Sequence, residues 1–356
     1  MRCAIVGSGL AALAGYATLR HGGIPAGDIA VFGTHEDPTS VWSARAAAIR
    51  QQRMRSESDG HLAAAAFPGL ALREGSLRAL TQTVTNRYHP RVDHFVAHAR
   101  GVAERSGWSS SFVSRRVSRV RAVDGGFTLD GEGPFTHVLL ATGHPGLARV
   151  PGAVHAYEPH PYTPKVAVIG AGMAAATEWL NALAAGAEVV SIRRRPPLRR
   201  PLNVPRPYFS KRGLAAFHRL PPSARAAALY DLAQPSYPPG PEWDVPLQAA
   251  MATGQFAGSD PGQTPGHDFQ VISATGFKRG WQEDMLLADL VDAHGLETQG
   301  RWIALAPDST VPALTDETRT LSIAGVAGQW AFPAADTIAG AKYAARAFAR
   351  HACRTR

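Results

Sequence analysis

The chain has 356 residues, 45% hydrophobic and 18% charged, enough for two domains with separate cores and far from a fibrous or disordered composition. Its net charge of +9 is carried mainly by arginine, since Lys165, Lys211, Lys278 and Lys342 are its only lysines; in an Ala-, Gly- and Pro-rich chain this is read as compositional bias, and no nucleic-acid partner is expected. Two cysteines, Cys3 and Cys353, build neither a disulfide framework nor a zinc site, no apolar run is long enough for a bilayer, and Met1 enters the first strand without a basic leader, so no metal, no membrane and a cytoplasmic location are expected.

Residues 3–7 read as a buried strand, 9–21 as a helix and 28–32 as a second strand, a βαβ unit whose turn Gly7-Ser8-Gly9-Leu10-Ala11-Ala12 has the form Gly-x-Gly-x-x-Ala. Residues 38–90 are irregular, with Trp42 and then Gln51 to His61; a stretch this long inside a domain is more often a binding loop than filler. Val92, Phe95, Val96, Ala99 and Val102 fall on one face of a helix over 91–106. Alternating segments follow at 112–123 and 126–130, and then a strand over 135–140 that ends in Ala141-Thr142-Gly143.

The Pro-rich stretch 145–164 reads as a crossover linker. It leads to a second strand-turn-helix at 165–185, with the turn Gly170-Ala171-Gly172-Met173-Ala174-Ala175, and to a strand at 188–192 that runs into Arg193-Arg194-Arg195. Residues 196–246 combine many prolines with Tyr208, Phe209, Phe217, Tyr230, Tyr237 and Trp243, an insertion that cannot be regular sheet. Val271 to Gly276 repeats the Ala-Thr-Gly ending, and a strand at 320–324 and a helix from about Ala335 to His351 close the chain.

A strand, a glycine turn and a helix N-terminus together offer free N–H groups and a positive dipole end to a pyrophosphate. One such turn also serves ordinary helix packing, but two in the same context imply two dinucleotides. About twenty residues beyond such a fingerprint a carboxylate suits a ribose hydroxyl and an arginine a 2′-phosphate. Arg193, Arg194 and Arg195 stand there in the second copy, which indicates NADPH. In the first copy Phe32 is followed by Gly33, and Glu36, beside His35, is the nearest acid.

In order and spacing these features resemble the flavin-dependent monooxygenase superfamily, the flavin-containing and N-hydroxylating monooxygenases. The resemblance rests on the first glycine turn, Trp42, the 91–106 helix, Leu139 to His144, the second turn with its arginines, and Ala274 to Phe277. It implies an α/β fold of two Rossmann-like dinucleotide-binding domains, glutathione-reductase-like, the second inserted in the first. Residues 1–145 and 275–356 would bind FAD, and 146–274 NADPH, with the insertion at about 196–260.

The resemblance assigns Gly7, Gly9 and Ala12 to FAD and Gly170, Gly172, Ala175, Arg193 and Arg194 to NADPH, with Glu36, Trp42, Thr142, Gly143, Thr275, Gly276, Gly325, Asp336 and Thr337 as further cofactor contacts. Gly325 is followed by Val326 where an acid is usual, and Asp336-Thr337 is expected to cap the last helix. Ser56, Ser58 and His61 are the catalytic candidates, as polar contacts to the flavin. Asn203, Tyr208, Phe209, Lys211 and residues 329–332 are candidate substrate contacts. His155, one residue short of the family's Gly-x-x-x-His setting, is expected to be a surface linker histidine.

The implied activity is transfer of one oxygen atom from a C4a-(hydro)peroxyflavin to a nitrogen or sulfur of a small molecule, with oxygen as co-substrate. The alternatives are an NADPH-dependent reductase passing electrons to ferredoxin, flavodoxin or another acceptor, and a nucleotide-sensing or RNA-associated flavoprotein. The chain has no Cys-x-x-Cys pair for disulfide reduction. The oligomeric state stays open.

Overall fold

Strict alternation within short apolar runs builds the first sheet. In Cys3–Val6 (β1), Cys3 and Ile5 enter one core and Ala4 and Val6 the other. Ile29–Gly33 (β2) splits the same way. The computed structural model describes residues 2–54, 70, 74–84, 88–200, 204–259 and 266–354.

Phe112–Ser114 (β3), Val120–Val123 (β4), Gly126–Leu129 (β5), Glu132–Phe135 (β6) and His137–Leu140 (β7) follow. The segment expected at 112–123 is thus two strands. β3 joins β2, whereas β4 starts a separate antiparallel sheet, β4-β5-β6. Next come Val154–His155 (β8), Lys165–Ile169 (β9), Glu188–Ile192 (β10), Leu198–Arg199 (β11) and Ser236–Tyr237 (β12). Phe256–Ser259 (β13), Gln270–Ser273 (β14), Thr298–Gln299 (β15), Trp302–Ile303 (β16) and Thr320–Ile323 (β17) complete the strands.

Two parallel sheets organise the chain, one in the order β17-β7-β1-β2-β3 and one in the order β13-β10-β9-β14-β8. In the first, Cys3 aligns with Ile29 and with His137, and Thr320 with His137. One face is covered by the helices Leu10–His21, Val92–Ser106 and Ile338–Arg354, whose Leu13, Tyr16, Phe95 and Phe348 are buried. The other is covered by Phe127, Leu129 and Phe135 of the antiparallel sheet and by Leu287 and Leu290 of the helix Met285–His294.

In the second sheet Val166, Val168 and Ile272 pack with Ala175, Trp179 and Ala182 of the helix Met173–Ala184. The insertion is helical at Lys211–His218, Pro222–Leu232 and Pro241–Ala252; its strands are the two-residue pair β11 and β12 and, at its end, β13, which joins the second sheet beside β10. Its Phe217, Ala226 and Leu229 belong to the first sheet's core, whereas Tyr237, Leu247 and Ala250 belong to the second's. Residues 145–164 are more than a linker, because Val154 and His155 pair with Ile272 and Ser273. His155 is consequently fully buried and not at the surface as its loop context suggests: its ring bonds Gly276 O at 3.0 Å and accepts from Tyr157 N at 3.1 Å.

No helix of the described residues is long and apolar enough to cross a membrane, and no cluster of metal-ligating side chains occurs among them.

Candidate functional site

Both glycine turns are built alike. In the first, Gly7 N donates to Phe32 O at 2.8 Å and Ala141 N to Val6 O at 2.7 Å. In the second, Gly170 N donates to Ile192 O at 3.0 Å and Ala274 N to Ile169 O at 2.8 Å. Each first glycine has a positive φ, 113° and 144°, and a Cβ there would lie 2.2 Å from Ala141 O or 2.6 Å from Ala274 O. The two Ala-Thr-Gly segments are therefore the strand ends against which the turns close, so that sequence repeats four elements and not two. Gly9 and Gly172 begin the following helices in extended conformation with no side-chain cap, leaving first-turn N–H groups open to an anion. Ala12 and Ala175 are fully buried, so they set how closely each helix approaches its sheet.

The first turn opens into a cleft of about 1150 Å³. Gly7, Gly9, Trp42, Thr142, Gly143, Gly325, Asp336 and Thr337 line it, together with Ser8, Arg45, His144 and Met54. Thr337 starts the last helix there, its Oγ1 accepting from Gly340 N at 3.2 Å and donating to Ala334 O at 2.7 Å, so that this helix also points its N-terminus at the cleft.

The space beside Gly33 is filled: a Cβ at 33 would lie 2.3 Å from Ser8 Oγ, so no carboxylate fits there. Glu36 is exposed and does not line the cleft, its backbone carbonyl accepting from Trp108 Nε1 at 2.7 Å. Thr34, His35, Arg115 and Arg116 occupy that end instead. Ser56, Ser58, His61 and Asn203 lie outside the described residues. Phe209 lines the cleft but Tyr208 and Lys211 do not; Tyr208 stands edge-on to Phe217.

Gly170, Gly172, Ala175, Arg193, Arg194, Thr275 and Gly276 do not line this cleft. Arg193 turns back over the Trp179 ring at 6.0 Å, while Arg194 and Arg195 are exposed and no acidic partner for them is found among the described residues. Thr275 Oγ1 donates to Ala148 O, and Gly276 O accepts from Ala148 N at 3.0 Å. The segment after the first Ala-Thr-Gly therefore runs antiparallel to the segment after the second, with Lys278 N closing onto Gly146 O at 2.9 Å.

His144 and Phe277 hold equivalent positions in these two segments, and their rings stack at 4.1 Å and 17°. Tyr157 lies on Phe277 at 5.0 Å and His155 follows at 5.7 Å, while Arg45 approaches Phe277 at 4.7 Å. Burial, with a smaller contribution from Arg279 and Arg45, lowers the His144 pKa to about 3, so a neutral imidazole faces the cleft at pH 7. Sequence reading passed over Arg45, and Asp284, whose Oδ2 accepts from Thr142 Oγ1 at 2.8 Å. Only the repetition of Ala-Thr-Gly-aromatic signalled the ring stack.

No protein-family model matches the sequence, and no curated protein matches it significantly. Solved structures do. The ornithine hydroxylase of Pseudomonas aeruginosa is similar with a TM-score of 0.72 at 14% identity, over 99% of each chain. The ornithine N-hydroxylase of Kutzneria sp. 744 gives 0.74 at 13%, over 99% of this chain and 98% of that one. A bacillithiol disulfide reductase from Bacillus cereus gives 0.63 at 15%, over 100% and 99%. Likeness over whole chains at such low identity establishes that the two parallel sheets form the two-domain glutathione-reductase-like fold.

Proposed function

We propose that the chain is an FAD-containing, NADPH-dependent monooxygenase that oxygenates a nitrogen or sulfur atom of a small molecule, with 1–145 and 275–356 as the FAD-binding part and 146–274 as the NADPH-binding part. The observation that carries it is the duplicated turn, one copy opening with a second helix N-terminus into a cleft of about 1150 Å³. The cleft suits a dinucleotide in size and at its pyrophosphate end. At the ribose it differs from the usual pattern, offering Ser8, Thr34 and His35 in place of a carboxylate.

Bound FAD supplies hydride acceptance from NADPH and electron transfer to oxygen, chemistry the side chains alone lack. The chain's own part is positional. N–H groups after Gly9 would hold the FAD pyrophosphate, and the N-terminus of Ile338–Arg354, which also faces the cleft, would favour negative charge there. The stack of His144 on Phe277, closed by Arg45, keeps water from one wall.

The N-hydroxylases among the similar structures favour a nitrogen target. The reductase among them supports the alternative reading of an electron-transferring flavoprotein. Against disulfide reduction, Cys3 is buried with its pKa pushed up to about 12, and neither it nor Cys353 lines the cleft.

Purified protein reconstituted with FAD is expected to show a flavin spectrum that NADPH bleaches. With a small primary-amine or thioether substrate, oxygen uptake then yields less than one hydrogen peroxide per NADPH. Failure to take up flavin overturns the reading. Full release of peroxide with every amine and thioether, together with rapid reduction of ferredoxin, selects the reductase.

Arg194 and Arg195 are both exposed, and Arg194 is the nearer of the two to the end of β10, where a 2′-phosphate would sit. Arg194→Gln is expected to raise KM for NADPH by about 10- to 100-fold, the scale of one charge-assisted hydrogen bond, and to leave KM for NADH unchanged. Steady-state kinetics with both nucleotides measures this, and equal effects on both would exclude the assignment.

A further inference from the structure

The end of β2 departs from what an adenosine ribose usually meets. A carboxylate there accepts from the ribose hydroxyls, and its charge repels a 2′-phosphate. At Gly33 neither function exists, because Ser8 fills the space a side chain would need. The nearest acids do not replace it: Glu36 and Asp37 do not line the cleft, and Asp37 pairs with Arg100 at 2.8 Å.

Two arginines stand at this edge instead. Gly33 aligns with Ser114 across the parallel pair β2 and β3, and Arg115 N donates to Gly33 O at 2.9 Å, so Arg115 and Arg116 leave the sheet beside the end of β2. Both line the cleft, with Thr34 and His35. The Arg115 guanidinium lies over the Phe32 ring at 4.8 Å. Its Nη2 is 2.8 Å from Oε2 of Glu132, whereas its Nε is buried without a hydrogen-bond partner. Arg116 is exposed, and no acidic partner for it is found among the described residues. Where such a fold usually sets a negative charge, this chain thus sets two guanidinium groups against Glu132 alone, which does not line the cleft. Guanidinium forks match the oxygens of a phosphate.

We propose that Arg115 and Arg116 form a phosphate site at the ribose edge of the first cleft. Its occupant has two possible sources. Inorganic phosphate can stand in for the missing carboxylate and accept from the FAD ribose hydroxyls, which makes flavin retention depend on phosphate. Alternatively, the 2′-phosphate of an NADP-type dinucleotide enters this cleft in place of FAD, which makes NADP⁺ a competitor of the flavin. The link to FAD rests on the monooxygenase reading; the phosphate site itself does not.

FAD is titrated into flavin-free protein, with flavin fluorescence reporting binding, at one ionic strength set either by sodium chloride or by sodium phosphate. Free phosphate in the site is expected to tighten FAD by about tenfold, the scale of one charge-assisted hydrogen bond. A 2′-phosphate source instead makes the apparent Kd of FAD rise in proportion to added NADP⁺, at concentrations about tenfold below those at which NAD⁺ acts. Arg116→Gln, at an exposed position, and Thr34→Glu, which sets a carboxylate at the same edge, should each cancel whichever effect the parent shows. No effect of phosphate beyond that of chloride, together with equal competition by NADP⁺ and NAD⁺, overturns the site, and so does an effect retained in both variants. An NADP⁺ effect that levels off is action from the second turn and, without a phosphate effect, overturns the site as well. Calorimetry of phosphate and of NADP⁺ into flavin-free protein reports apart from the flavin: the parent should bind more of one of them than Arg116→Gln, and equal binding of both overturns the site. Protein that shows this difference but never takes up FAD refutes the monooxygenase reading alone.

Discussion

Gly9→Ala is expected to fold as the parent does and to lose FAD. A methyl group at 9 meets nothing within 4 Å, and φ of −89° with ψ of −168° is open to alanine, so the change costs the fold only about 1 kcal/mol as a poorer helix start. The same methyl stands where a pyrophosphate must approach the N–H groups of Leu10, Ala11 and Ala12, and a loss of affinity of about 100-fold or more follows. Gly7→Ala separates the two effects, because its Cβ would lie 2.2 Å from the backbone oxygen of Ala141 at a φ of 113°. There the turn itself must break, and destabilisation of several kcal/mol is expected, about 3 or more. Thermal unfolding of the apoproteins and flavin content after reconstitution distinguish the cases. The second copy offers a control: Gly172→Ala places its Cβ at an ordinary 3.6 Å from Pro235 and should keep FAD while weakening NADPH. Normal flavin retention in Gly9→Ala would remove the phosphate cradle from the proposal.

These contrasts mark what sequence could and could not reveal. A glycine fingerprint is a local device, in which strand, turn and helix start are consecutive, so its two copies and their strands were readable, down to β1, β2, β9 and β10. The Ala-Thr-Gly segments were readable as repeats. Their closure onto Gly7 and Gly170 was not, because it joins residues more than a hundred positions apart. The absence of an acid at Gly33 was likewise visible, but its cause, the Ser8 side chain in that space, is a contact across the sheet.

His155 was misplaced for a similar reason. Two residues are too few for a strand period to register, and their pairing with Ile272 and Ser273 decides their burial. The insertion, read only as non-sheet, divides its apolar residues between both cores, which composition cannot express. For Ser56, Ser58 and His61 sequence remains the sole source.

His160→Phe is expected to destabilise the protein by about 3–5 kcal/mol, the range for removing one partner of a buried charged pair. Glu178, on the helix that follows the second glycine turn, is fully buried and accepts from His160 Nε2 at 3.1 Å and Tyr162 OH at 2.9 Å. The other ring nitrogen of His160 bonds Glu158 O at 2.7 Å, so both nitrogens act as donors, as in the imidazolium. Its pKa is raised, first by the hydrogen bond to Glu178 and then by the Glu158 carbonyl, against an opposing contribution from burial. A raised folded-state pKa stabilises fully below the unfolded value near 6.5, and that contribution disappears as pH rises through the folded value.

The parent should therefore lose stability on mild alkalisation, and His160→Phe should lack that loss. Glu178→Leu in the His160→Phe background is expected to recover most of the deficit, since an apolar pair of similar volume removes the stranded carboxylate. The consequence reaches the cleft: Arg50 lies over Tyr162 at 4.5 Å, and Asn181 Nδ2 donates to Ile49 O at 3.0 Å. Ile49 ends the helix Ser40–Ala48, which brings Trp42 and Arg45 to the cleft wall. Urea unfolding of the four proteins of this double-mutant cycle at pH 6 and pH 8.5 gives the coupling directly, and a value below about 0.5 kcal/mol at both would show that Glu178 does not depend on His160.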